Sequence, residues 1–150
     1  MNGCTVFAEE LRRYYEVWQE TNSVYEEWAK AHGISLNCLL MLVSIDEGGE
    51  GCTQKKISSQ WMIPKQTVNM LLKDLENKHF VELFPLPQDK RTKQIRFTPE
   101  GKAYADAVLS ELRKAELFVI EKMGLERIRI LNENMALFAS LFSEAGGDDA

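Results

Sequence analysis

Asp89-Lys90-Arg91-Thr92-Lys93-Gln94-Ile95-Arg96-Phe97-Thr98-Pro99-Glu100-Gly101 is a charged turn that feeds a short β-type run and ends on a helix start. A second β-type run, Phe80-Val81-Glu82-Leu83-Phe84, lies just upstream. Pro85, Pro87 and Asp89 in the connection favour a turn, so the two runs are expected to pair as a hairpin. Thr98-Pro99-Glu100 supplies a capping hydroxyl, a proline at the first helical position and an acid in the first turn.

Working outward, Thr53 to Lys78 reads as two short helices around a tight turn. Thr53 can cap the third helix of the chain, in which Ile57 and Trp61 bury while Lys55, Lys56 and Gln60 stay wet. Pro64 fits the first turn of a fourth helix, where its missing N–H costs nothing. There Val68, Leu71, Leu72 and Leu75 share one face. Gln66, Asn69, Met70, Lys73 and Asn77 fall on the other, a face rich in amide and ammonium donors.

Before this pair, Thr5 to Ala31 reads as a helix, with Phe7, Leu11, Tyr14, Trp18, Tyr25 and Trp28 at three- and four-residue steps broken only by Thr21. So broad an aromatic stripe has little to bury against in a small domain, which points to a second chain. His32-Gly33 supplies a stop and Ser35 an N-cap for a second helix through Ile45. Asp46 to Gly51 is expected to be a loop. Its Gly48-Gly49-Glu50-Gly51 lacks the spacing and the Gly-Lys-Ser/Thr of a phosphate-binding loop. After Gly101 two apolar helices follow, interrupted at Gly124, and Gly146 to Ala150 is expected to fray.

At 150 residues and 45% apolar content the chain suits one folding unit. No apolar run reaches 18 residues and no signal-peptide pattern opens the sequence, so a soluble, cytoplasmic protein without membrane contact is expected. Cys4, Cys38 and Cys52 form no CxxC pair, which argues for reduced thiols rather than a disulfide scaffold. Although the net charge is −5, the charges are segregated. From Thr53 to Lys102 there are ten cations (Lys55, Lys56, Lys65, Lys73, Lys78, Lys90, Arg91, Lys93, Arg96, Lys102) against five acids (Asp74, Glu76, Glu82, Asp89, Glu100), a balance of +5. The rest of the chain holds the other eight cations and eighteen acids, a balance of −10. A basic module framed by acidic flanks suits a polyanionic partner.

On these residues the chain resembles the MarR family of winged-helix transcriptional regulators. Asp89-x-Arg91, then Ile95-x-Phe97-Thr98-x-x-Gly101, fits the family wing pattern D-x-R-x-x-x-[apolar]-x-[apolar]-T-x-x-G at every specified position. Thr53 to Ile57, Lys65 to Asn69 and Leu72 to Val81 look like its helix-turn-helix core. The direct match runs from about Ser35 to Gly101. It implies a mainly α fold with a small β-wing, a winged helix-turn-helix whose N- and C-terminal helices form a dimerisation region. The implied boundaries are residues 1–34 for an N-terminal dimerisation helix and 35–101 for the DNA-binding lobe. Residues 102–145 form the C-terminal dimerisation helices and 146–150 a flexible tail.

The resemblance also implies a homodimer that presents two fourth helices to successive major grooves of a pseudo-palindromic double-stranded DNA, with half-sites ~10 bp apart. Side-chain chemistry agrees. The amides of Gln66 and Asn69 suit adenine N6/N7, and Lys65 suits guanine O6/N7. Thr53, Lys55, Thr67, Lys73 and Lys93 are candidates for the DNA backbone. Arg91 is the family's minor-groove residue, with Asp89 expected to orient its guanidinium. Two departures stand out: Leu83 and Phe84 occupy positions where many relatives carry arginine, and Met62 occupies a turn position often held by glycine. Lower DNA affinity is the expected consequence.

Many family members release DNA on binding a small aromatic or anionic inducer, which makes the chain a candidate repressor. Tyr14, Tyr15, Trp18, Tyr25 and Trp28 are the candidate ligand-pocket residues, although aromatic stripes at helical spacing more often form core or dimer interface. Cys4, ahead of a helix, and Cys52, just before the capped third helix, are the candidate redox sensors, since a helix N-terminus favours thiolate. His32 and Cys38 are too few for a metal site. No cofactor is implied, and no nucleophile with a general base or carboxylate pair suggests an enzyme. The alternatives are a winged-helix protein-interaction module, which DNA affinity that is absent or hardly changes with salt would favour, and a redox-sensing regulator.

Overall fold

The computed structural model describes residues 3–147. Six helices and one hairpin follow in the order α1 (Gly3–Ala31), α2 (Leu36–Gly48), α3 (Gln54–Trp61), α4 (Lys65–Asn77), β1 (Val81–Pro85), β2 (Lys93–Phe97), α5 (Pro99–Met123) and α6 (Leu125–Gly147). The chain divides into two compact units, one up to Val108 and one from Leu109. The fold is the winged helix that the sequence predicts.

In the first unit α2 is the central helix. Leu39, Met41, Leu42 and Ile45 are buried on it, together with Ile57 of α3, Val68, Leu72 and Leu75 of α4, Val81 of β1 and Ile95 of β2. A helix apolar on several faces belongs inside a small domain, and the amphipathic α3 and α4 cover it with their buried stripes. Ser35 caps α2 by accepting the Cys38 N–H at 3.2 Å, and Thr53 caps α3 by accepting the Lys56 N–H at 3.2 Å.

Four local expectations are corrected. Asp46 to Gly51 is not a loop: α2 runs on to Gly48, and Gly49–Gly51 form a 3-10 turn. Pro64 sits at the N-cap of α4 rather than inside its first turn, its carbonyl accepting the Val68 N–H at 3.1 Å. Cys4 lies within the first turn of α1, not ahead of it. The expected frayed tail is helical at Gly146 and Gly147; residues 148–150 lie outside the described residues.

Two helices end in the same way with different residues. After α1, Gly33 takes φ +72°, and Ile34 N–H reaches the Ala29 carbonyl at 3.1 Å. After α4, His79 takes φ +59°, and Phe80 N–H reaches the Leu75 carbonyl at 2.9 Å. Both are left-handed Schellman caps, a place where glycine is preferred because it carries no Cβ.

In the second unit α6 carries Leu131, Met135, Phe138 and Phe142 at three- and four-residue steps, all exposed. On α1 the side chains of Phe7, Leu11, Tyr14 and Trp18 are exposed as well. Apolar stripes of this length exceed what scattered surface hydrophobics account for.

Candidate nucleic-acid interface

The α3–α4 turn is set by Met62, which adopts the left-handed conformation (φ 54°, ψ 35°) that glycine would take most easily. Ser58 Oγ donates to the Ile63 carbonyl at 2.6 Å across the turn. Half-buried Trp61 donates Nε1–H to Ser44 Oγ at 2.6 Å, and that hydroxyl donates to Gln60 Oε1 at 3.1 Å, which ties α3 to α2. These contacts fix α4 with Val68, Leu72 and Leu75 inward. Its other side presents Gln66, Asn69, Met70, Lys73 and Asn77, all exposed. Together with Asp74 they line an open depression of about 370 Å³.

The hairpin pairs Val81 with Phe97, Leu83 with Ile95 and Pro85 with Lys93 in antiparallel register. Its base is anchored by Thr98. The Thr98 N–H donates to the Phe80 carbonyl at 3.0 Å and its hydroxyl donates to the His79 carbonyl at 2.7 Å. The same hydroxyl oxygen accepts the Gly101 N–H at 3.0 Å, capping α5. Gly101 packs so closely on Phe80 that a Cβ there would lie 1.7 Å from the Phe80 oxygen. The T-x-x-G spacing is therefore a clasp between wing and helix, with a physical reason for each specified residue.

A second anchor was not anticipated from the sequence. Gln94 is buried on β2, donates Nε2–H to the Gly49 carbonyl at 3.2 Å and accepts from Arg96 Nη2 at 2.9 Å. The Arg96 guanidinium lies 4.8 Å from the centre of the Phe84 ring. Phe84, where basicity was expected to be missing, thus supports a cation by a face-on contact. Beside Gln94, the Ile95 N–H donates to the Cys52 carbonyl at 2.9 Å and Thr53 bridges to Gln94, so the segment before α3 extends the sheet.

At the tip, the role expected of Asp89 is corrected. Its carboxylate accepts the Arg91 backbone N–H at 3.0 Å and the Thr92 hydroxyl at 2.8 Å, and it makes no ion pair with the Arg91 guanidinium. These bonds, the Arg91 N–H first, hold its carboxyl below the ordinary aspartate range. Asp89 shapes the turn, and the guanidinium of Arg91 stays exposed and makes no ion pair among the described residues.

Between the wing and the starts of α3 and α4 lies a groove of about 310 Å³ lined in part by Thr53, Gln54, Lys55, Lys65, Arg91 and Lys93. The structure thus gathers Thr53, Lys55, Lys65, Lys93 and Arg91 in one groove and Gln66, Asn69 and Lys73 on the adjoining face of α4. Thr67 is half-buried and Asp89 lines neither surface. Gln54 is a further lining residue that sequence reasoning passed over; its place directly after the cap was the available signal. Of the basic segment's cations, Lys78 pairs with Asp74 at 2.9 Å, and Lys102 bridges Asp46 at 3.0 Å and Asp106. Lys55, Lys65, Lys73, Lys90, Arg91 and Lys93 are exposed and make no ion pair among the described residues.

Residues 32–92 match the family model described as the MarR family. The matched stretch spans most of the winged helix. The chain is 28% identical over 102 residues to the HTH-type transcriptional regulator SarZ of Staphylococcus epidermidis, which covers 68% of each chain. Among solved structures it is similar to NMB1585, a MarR family regulator from Neisseria meningitidis. There the TM-score is 0.82 at 23% identity, covering 94% of this chain and 99% of that one. It is also similar to MepR from S. aureus in its DNA complex. That match has a TM-score of 0.71 at 21% identity, covering 85% of this chain and 96% of that one.

The candidate sensor residues are less concentrated than the interface. Tyr14, Tyr15 and Trp18 are exposed along α1, whereas Tyr25 and Trp28 are half-buried nearer its C-terminal end. Trp28 stacks on His32 with ring centroids 3.8 Å apart. Cys4 is exposed. Cys52 is 1% exposed, and burial pushes its thiol above the ordinary range despite the opposing pull of Lys56. The thiolate expected at the start of α3 is therefore disfavoured, because desolvation outweighs the favourable field. No cluster of three or more metal-ligating side chains occurs among the described residues, and no single helix is long and apolar enough to cross a membrane.

Proposed function

We propose that the protein is a sequence-specific, DNA-binding transcriptional regulator that works as a homodimer. The observation that carries this reading is the groove in which Lys55, Lys65, Arg91 and Lys93 converge with no acidic partner among the described residues, next to the amide-bearing face of α4. Unpaired cations in a groove suit phosphates, and exposed amides on a rigid helix suit base edges. The DNA complex of the structurally similar MepR supports the same use of the fold. Lys65, Gln66 and Asn69 are assigned to bases. Thr53, Lys55, Thr67, Lys73 and Lys93 are assigned to the backbone, and Arg91 to the minor groove.

The exposed apolar stripes of α1 and α6 support dimerisation, with residues 1–34 and 102–145 as its elements. The same reading makes the protein a repressor released by a small aromatic or anionic inducer, one that prefers the dimer in which the two α4 helices stand at a different spacing. Half-buried Tyr25 and Trp28 are the better placed of the candidate lining residues. Screening DNA affinity against aromatic acids tests this part, and affinity unmoved by the whole panel would count against it.

The deciding experiment is selection from a random duplex pool at two salt concentrations, with Arg91→Ala alongside. An inverted repeat should be enriched. Three lysines per subunit on phosphates (Lys55, Lys73, Lys93) make six in a dimer, for a log–log salt slope of about −5. Absence of enrichment at low salt, or affinity indifferent to salt, would overturn the reading in favour of a protein-interaction module.

A further inference from the structure

We propose that Met70 reads the 5-methyl group of a thymine, making it a specificity residue of the DNA interface; the inference rests on the DNA-binding reading above. Met70 is 62% exposed. The other apolar side chains of α4 turn inward: Val68, Leu72 and Leu75 are buried and Leu71 is half-buried. On the wet face Met70 is the apolar residue among polar ones, next to Asn69, one turn after Gln66 and one turn before Lys73 and Asp74, in the same depression.

A single exposed apolar residue needs no explanation on an ordinary surface. Its setting here supplies one. In the major groove an A·T pair presents adenine N6 and N7 for an amide and, on the same edge, the thymine methyl. An amide bound to adenine leaves that methyl as the apolar group of the pair. A side chain one position or one turn from the amide is placed to cover it. Methionine suits the task, being unbranched, polarisable and able to adapt to an irregular contact. An amide and a methionine on one helix face thus read the two halves of an A·T step. The half-site is accordingly expected to hold at least one thymine whose methyl matters.

The test uses the duplex enriched by the full-length protein. Each thymine is replaced in turn by deoxyuridine, which removes the methyl and leaves every hydrogen-bonding group in place. One position per half-site should weaken binding about 4-fold, and the symmetric double replacement about 15-fold, as expected for one buried methyl per half-site. Met70→Ala should bind the thymine and uracil duplexes equally, while Met70→Leu should retain the preference. Wild-type protein that tolerates uracil at every position, or Met70→Ala that discriminates as well as wild type, would overturn the inference and leave the DNA reading intact. If no sequence is enriched, the DNA reading fails and this inference falls with it.

Discussion

Gly101→Ala should unfasten the wing. A Cβ at this position would lie 1.7 Å from the Phe80 oxygen, 2.5 Å from its carbonyl carbon and 2.7 Å from its Cα, whereas ordinary contact begins at 3.4 Å. The obstructing atoms are backbone, so no rotamer change relieves the clash. Moving Phe80 away strains the 3.0 Å bond from Thr98 N–H, the 2.7 Å bond from the Thr98 hydroxyl to the His79 carbonyl, and the cap of α4 through Phe80 N–H. Losing two such bonds removes about 2 kcal/mol, and leaving a partly buried carbonyl unsatisfied adds about 1–3 kcal/mol. Alanine's better helix propensity returns at most about 1 kcal/mol.

The net expectation is destabilisation by about 3 kcal/mol, which for a chain of this size lowers Tm by about 6–12 °C. Urea titration followed by circular dichroism, at one protein concentration for both variants, measures it. Gly146→Ala is the control, because nothing lies within 4 Å of its Cβ position and it is helical. A Gly101→Ala protein as stable as wild type would refute the close-approach reasoning. DNA affinity should fall as well, since this contact fixes the wing relative to α4.

His79→Gly should stabilise the fold by up to about 1 kcal/mol, because His79 holds a left-handed cap without glycine's freedom; urea midpoints decide it. Gln94→Leu should destabilise by about 1–3 kcal/mol, leaving the Gly49 carbonyl and the Arg96 guanidinium without that partner, and an unchanged midpoint would remove Gln94 from the wing's supports. The Asp89 carboxyl is held below its unfolded value, so its contribution is present above the unfolded pKa and lost as pH falls through the folded one. In acid titrations watched at the wing amides, the Arg91 N–H should therefore lose protection below the ordinary aspartate range, a transition absent in Asp89→Asn. That same variant should bind DNA at least as well as wild type at neutral pH, since it keeps an acceptor for the turn and removes a charge that repels phosphate; weakened binding would restore an electrostatic role for Asp89.

Features written in nearest neighbours were legible in the sequence. Ser35, Thr53 and Thr98 cap helices because each hydroxyl needs only an N–H three residues on. The buried face of α4 follows from its period alone. Features that depend on distant partners were hidden. Gln94 looked like one more polar residue among lysines, and its partner, the Gly49 carbonyl, is 45 residues away. Glycine's turn preference at 48–51 suggested a loop, but the sheet edge holds that segment as a 3-10 turn at the end of α2. Asp89 was read by charge toward its arginine neighbour, although a carboxylate two residues before an N–H and three before a hydroxyl has nearer partners. Its local geometry outcompetes the solvated ion pair.

Taken together, the wing anchors define how its chemistry is delivered. Thr98 and Gly101 hold the base of the hairpin against the end of α4, and Gln94 holds the middle against the end of α2. Among the described residues, the bonds of Asp89 and Thr92 organise the tip. A rigid stem therefore carries an arginine whose guanidinium has no ion-pair partner among the described residues to surrender. Docking a paired arginine onto DNA would require breaking one charge contact to make another, so much of the gain would cancel. An exposed, unpaired guanidinium gives up only hydration and rotamer freedom, and the fixed stem limits the second cost. The same logic separates Arg91 from Arg96, whose guanidinium is occupied by Gln94 and Phe84 and serves the stem instead. Two arginines on one small hairpin thus divide into a residue that builds the wing and a residue that the wing presents.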